Sequence, residues 1–158
     1  MEDFGFAVGP RVSLTIDEGG TLTIGRRVQL REGCEVWAIG GDIVIGTNVF
    51  FNRFCSVISR AGISIGSDCL FGPNVGIYDH DHGADDPSQP IWAQEQRAEP
   101  VSIGSNVWVG ANAVITAGVT IGDRAVVGAN SVVTGPVESG TMVAGAPAKL
   151  VRRLPSSA

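Results

Sequence analysis

From Ile103 onward a large aliphatic residue returns every six positions, at Ile103, Val109, Ile115, Ile121, Val127 and Val133. A helical face recurs about every 3.6 residues and the faces of a strand alternate every two, so neither element produces this spacing. A coil of short flat segments joined at turns does, because equivalent positions then stack on the coil below. Four residues after each aliphatic comes a second inward position, occupied by Val107, Ala113, Val119, Ala125, Ser131 and Val137. These side chains are small or β-branched, as a narrow interior requires. Gly104, Gly110, Gly122 and Gly128 follow the leading aliphatic, where the chain bends and a side chain would cost room. Three such hexads close a triangular coil, and successive coils are expected about 4.8 Å apart in parallel register.

The tetrads LTIG (22–25), IVIG (43–46), ISIG (63–66), VSIG (101–104) and VTIG (119–122) carry the phase through most of the chain. Their spacing places one insertion at about residues 79–100, long enough to be functional. Val12–Ile16 alternates like a strand and begins an imperfect first coil. After Val137 the phase is lost, and Met142–Leu154 reads as a loop followed by a short basic amphipathic helix or tail. That C-terminal cap, about residues 138–158, covers the open end of the stack, whose bare strand edge would otherwise invite association. The whole of residues 1–158 forms a single domain with a core of its own.

Charge and composition narrow the function. A net charge of −5 argues against a nucleic-acid phosphate partner. No apolar run approaches the ~20 residues of a membrane span, and Met1-Glu-Asp does not open a signal peptide, so the cytoplasm is the expected compartment. Cys34, Cys55 and Cys69 each fall on a small inward position, where a reduced thiol serves as an apolar filler. Their spacing supports no zinc site, and no metal is expected.

Both histidines lie at the mouth of the insertion, in Asp79-His80-Asp81-His82. Counted from Ile77, His82 ends a hexad at an outward corner and Asp81 falls on an inward position. A buried unpaired carboxylate is costly, so the chain either leaves the coil at Asp81 or pairs it with a histidine. A histidine whose tautomer is fixed by a carboxylate or carbonyl suits a general base for a hydroxyl group. His82 can equally be a solvated loop residue, while His80 reads as structural or orienting. Trp108 ends a hexad and is expected at a corner where neighbouring repeats place Val, Thr and Val, so a ligand or another subunit is expected to pack on it. Asn52, one coil before that of His82, is by itself a polar turn residue.

The segments FGPNVGIYDHDH (71–82), VSIGSNVWVGANAVITAGVTIG (101–122), VVGANSVVTGPV (126–137) and AGAPAKLV (144–151) together resemble the hexapeptide-repeat O-acetyltransferases. Among these, the maltose and galactoside acetyltransferases and the small acetyltransferases of capsule and lipopolysaccharide synthesis are the most similar. The resemblance implies an all-β fold, a left-handed parallel β-helix, assembled as a homotrimer with acetyl-CoA lying in clefts between subunits. It also implies that His82 deprotonates the acceptor hydroxyl and that Asn52 helps to hold acceptor or base. Trp108 matches a residue lining the acetyl-CoA and acceptor site, and Ala111 a position whose backbone N–H contacts the thioester or its oxyanion. Ala129 and Thr134 match contacts to the pantetheine arm and the nucleotide end. Two departures stand out: there is no helical N-terminal segment of the kind that supplies small-sugar contacts, and Gly135 stands where relatives carry lysine. Phosphate charge then falls to Lys149, Arg152 or Arg153.

The activity so implied is acetyl-CoA-dependent O-acetylation of a sugar or glycan hydroxyl, by direct transfer. N-acetylation of an amino-sugar nucleotide on the same scaffold and a non-catalytic β-helical assembly subunit are the alternatives. The zinc carbonic anhydrases of this fold need three histidines, which this chain lacks.

Overall fold

The structure, a computed structural model, describes residues 5–155. Met1-Glu-Asp and the last three residues of the expected cap lie outside them. Short strands assemble into three sheets of eight, six and five strands, one for each side of a prism. Within these sheets all neighbours are parallel except the last pair of the eight-stranded sheet.

Register shows the coils directly. In the eight-stranded sheet Gln29, Phe50, Leu70, Trp108, Val126 and Met142 are successive partners. The jump from Leu70 to Trp108 carries the insertion. From 101 to 137 both inward positions of every hexad are buried, from Ile103 and Val107 through to Val133 and Val137. The one hydroxyl among them, that of Ser131, accepts from the Gly145 amide at 3.1 Å. The three cysteines are free and buried, as their phase requires. Phe51 and Phe71 stack with ring centroids 4.6 Å apart, so the two largest side chains of the core pack face to face on successive coils.

Corners repeat as faithfully as strands. Asn74, Asn112 and Asn130 share one corner column with left-handed φ values of 58°, 59° and 58°. Asparagine tolerates this region better than most residues. Their amides also bond coil to coil, Asn74 Nδ2 to Asn112 Oδ1 at 3.0 Å and Asn112 Nδ2 to Asn130 Oδ1 at 3.1 Å.

Beyond Val137 the expected helix does not form. Thr141–Gly145 continues the coil in register with Val126–Val127, and Ala148–Arg153 folds back antiparallel on it. A strand supplies backbone hydrogen bonds to the last edge of the sheet, which a helix could not. The capping role is thus met by a hairpin.

Coil stacking leaves no room at the glycine corners. A Cβ on Gly66 would lie 2.6 Å from the carbonyl carbon of Gly104 in the next coil. Gly66→Ala is therefore expected to lower stability by about 1–3 kcal/mol, read as a lower urea midpoint at constant m-value. An unchanged midpoint would contradict backbone contact at this corner.

Candidate active site

Trp108 opens the strand Trp108–Val109 and points outward, 54% exposed, from the flat of the sheet rather than from a corner. Beside it runs an apolar trench of about 390 Å³, walled by Gly72, Gly110, Ala111, Val126, Ala129 and Met142. The trench exists because its corners are stripped of side chains: a Cβ on Gly110 would lie 2.5 Å from the Ala129 nitrogen. Gly72 and Gly110 spend their own amides on the next coil, bonding Val109 O and Val127 O at 2.8 Å each. The following amides, those of Ala111 and Ala129, have no backbone acceptor among the described residues. Two donors one coil apart along an apolar channel suit an extended chain carrying carbonyl oxygens.

Asn52 lies in the same corner column, two coils from Gly110, and its amide N–H bonds Phe71 O at 3.0 Å. Its side-chain Oδ1 accepts from the Arg53 amide at 2.8 Å. Sequence reasoning placed Trp108, Ala111, Ala129 and Asn52 in one site, and the fold gathers all four along one side of the prism.

Thr134 and Lys149 line a separate cavity of about 340 Å³ at the C-terminal end, with Gly135, Pro136, Glu138 and Leu150. Arg153, another candidate for phosphate, is paired with Glu138 at 2.9 Å.

The insertion leaves from the six-stranded sheet after Gly76–Tyr78. The carboxylate that turns inward is Asp79, not Asp81. Asp81 is exposed and, with His80, forms a two-residue strand antiparallel to Arg97–Ala98. Counting four from Ile77 failed because these longer coils alternate inward positions by two, as Val57 and Ser59 do one coil earlier. The 20- and 21-residue tetrad spacings were the available signal.

Asp79 is 0% exposed and saturated with donors. The Arg60, Ala61 and Gly62 amides reach its carboxylate at 2.7, 2.8 and 2.7 Å, and the Ser59 hydroxyl at 2.7 Å. Burial pushes its pKa up, but these hydrogen bonds outweigh burial and hold the carboxyl below its usual range. His80 Nδ1 lies 3.1 Å from Asp79 Oδ1, and the Glu99 amide bonds Asp79 O at 2.8 Å. Asp79 thus ties both ends of the insertion to the prism.

His82 follows this clamp and is exposed. Gln96 Nε2 is 3.5 Å from either ring nitrogen, too long a contact to fix a tautomer. One chain does not bring His82 to Trp108: the indole leaves the eight-stranded sheet, whereas the imidazole stands beyond the end of the six-stranded one. Further along the insertion, Asp86 gathers Ser88, Gln89 and Gln94, and the turn Ile91–Ala93 presents Trp92 at 80% exposure.

Residues 62–83 and 100–135 match the family model described as the hexapeptide repeat of succinyl-transferase. Nodulation protein L of Rhizobium leguminosarum bv. viciae is 42% identical over 146 residues, covering 91% of this chain and 74% of that protein. The crystal structure of a hexapeptide-repeat acetyltransferase, VCA0836 of Vibrio cholerae O1 biovar eltor, solved with acetyl coenzyme A, superposes with a TM-score of 0.58. It is 31% identical, over 95% of this chain and 72% of that one. The chain belongs to the hexapeptide-repeat acetyltransferase family. Galactoside O-acetyltransferase of Escherichia coli is 33% identical, over 75% of this chain and 57% of that enzyme. Nodulation protein L of Rhizobium meliloti (strain 1021), at 47% identity, is spanned over 60% of its length. The prism and its corners are therefore the left-handed parallel β-helix of this family. Among the described residues no helix is long and apolar enough to cross a membrane.

Asp79→Asn would set an amide N–H against donors that now meet a carboxylate, at an expected cost of about 2–4 kcal/mol. Because the folded pKa of Asp79 is depressed, its contribution is present above the unfolded pKa near ~3.9 and is lost as pH falls through the lower folded value. Urea midpoints at neutral and acid pH check this: the gap between wild type and Asp79→Asn should narrow on acidification. A gap independent of pH would contradict the ionised clamp.

Proposed function

We propose that this chain transfers an acetyl group from acetyl-CoA to a hydroxyl of a sugar or glycan, within a homotrimer. The observation that carries this reading is the apolar trench beside Trp108, along which the Ala111 and Ala129 amides have no backbone acceptor among the described residues. Its apolar lining and two amide donors one coil apart suit a pantetheine arm, with Ala129 along the arm and Thr134 and Lys149 toward the nucleotide end. His82, from the insertion of an adjacent subunit, takes the place of the base. The names of the galactoside and Vibrio cholerae relatives support acetyl transfer and a sugar acceptor.

The chemistry follows from these placements. His82 accepts the hydroxyl proton as the acceptor oxygen attacks the thioester carbonyl, and Asn52 steadies acceptor or base. The Ala111 N–H bonds the oxyanion as the C–O bond forms. Collapse breaks the C–S bond, and the departing thiolate takes the proton back from His82, so no covalent enzyme intermediate is needed. Reduced buried thiols and a diffusible acyl-CoA substrate fit a cytoplasmic reaction.

Release of CoA thiol tests the base directly. His82→Ala should lower the rate by about 10²–10⁴-fold with a sugar hydroxyl as acceptor. Full activity would remove His82 from the role. Wild-type turnover faster on amino-sugar than on hydroxyl acceptors, and little changed in His82→Ala, would favour N-acetylation as the natural reaction.

A further inference from the structure

A second groove opens on the same sheet as the Trp108 trench. It has a volume of about 350 Å³ and is lined by Arg27, Gln29, Asn48, Phe50, Asp68 and Leu70. Gln29, Phe50, Leu70 and Trp108 are register partners on successive coils, so Leu70, 53% exposed, separates the groove from the indole. Coils stack about 4.8 Å apart, which sets Phe50 about 10 Å from Trp108 along the prism, roughly the span of two pyranose rings.

The groove has an apolar floor and a polar rim. Phe50 and Leu70 form the floor, and the Arg31 guanidinium sits over the Phe50 ring at 5.8 Å. On the rim, Arg27, Asn48 and Asp68 occupy one corner column with left-handed φ values of 55°, 59° and 61°. Asn and Asp suit that conformation, and arginine is disfavoured there. Asn48 Nδ2 donates to Asp68 Oδ1 at 2.6 Å, leaving Oδ2 to accept from a ligand. Among the described residues Arg27 meets no carboxylate at ion-pair distance. A pyranose presents the complementary surfaces, an apolar C–H face and a rim of hydroxyls that donate to a carboxylate and accept from a guanidinium. A net anion would meet Asp68, so the rim selects a neutral ring.

Resting on the transfer reading above, we propose that this groove holds the sugar ring next to the one acetylated. The acceptor is then a neutral oligosaccharide of at least two rings. Its test is the rate of CoA thiol release with glucose, maltose and maltotriose as probes. The expected result is a rise of about tenfold or more in kcat/KM from glucose to maltose and little beyond. Arg27→Asn, which suits the left-handed corner and so keeps the fold, should raise KM for maltose about tenfold with a smaller change in kcat. Equal kcat/KM for glucose and maltose, or an unmoved KM in Arg27→Asn, would overturn the subsite and leave acetyl transfer standing. So would a change in sedimenting mass of Arg27→Asn, which would make the groove a subunit contact. Absence of transfer to all three sugars, with acetyl-CoA still bound, would remove the sugar-hydroxyl reading and the subsite with it.

Discussion

Every feature of this protein depends on backbone hydrogen bonds that run from each coil to the next in strict parallel register. Asn52, Gly72 and Gly110 donate in turn to Phe71, Val109 and Val127 at 3.0, 2.8 and 2.8 Å. Such contacts let one residue position recur as a column on the surface. At Gly72 and Gly110 they also bring the corner backbones too close for a Cβ, and this bareness becomes a channel where the same corners meet an outward indole. The trench beside Trp108 is thus a by-product of stacking, with amide donors exposed only where the register leaves them unpaired.

The insertion depends on the same register by interrupting it. A loop of some twenty residues leaves the prism without disturbing it, since Ile63–Ile65 pairs directly with Val101–Ile103 across the gap. The cost of leaving is a set of corner amides with no coil above them. Asp79 meets these amides with its carboxylate, and the Glu99 amide closes on its carbonyl. A single buried side chain therefore both satisfies the broken corner and fixes the base from which His82 projects.

The hexads from Ile103 to Val137 were legible because inward positions tolerate only small or aliphatic residues, and the indole at 108 betrayed itself by breaking that rule outward. The insertion was legible as surplus length. Asp79 was not, because in the 20- and 21-residue coils the inward positions alternate by two, and the count from Ile77 assumed a regular hexad. The C-terminal hairpin was hidden for another reason. Basic and aliphatic residues from Ala148 to Arg153 suit an amphipathic helix locally, and only the open edge of Thr141–Gly145 makes a strand the better solution. The separation of His82 from Trp108 also follows from three-dimensional closure alone, since a period along the chain does not say which sides of the prism meet in an assembly.

That separation gives the site its defining property. In the proposed homotrimer, two dissimilar surfaces, the trench of one subunit and the insertion base of the next, would meet head to tail, a contact that closes into a ring when the rotation allows. Mixed oligomers measure this directly. His82→Ala and Trp108→Ala chains, each with little activity alone, are refolded together in equal amounts and assayed for CoA thiol release. In a closed ring with sites shared between neighbours, about a quarter of the sites receive both intact residues, so roughly a quarter of wild-type turnover should return. A mixture no more active than the mean of the two variants would contradict a site completed across subunits.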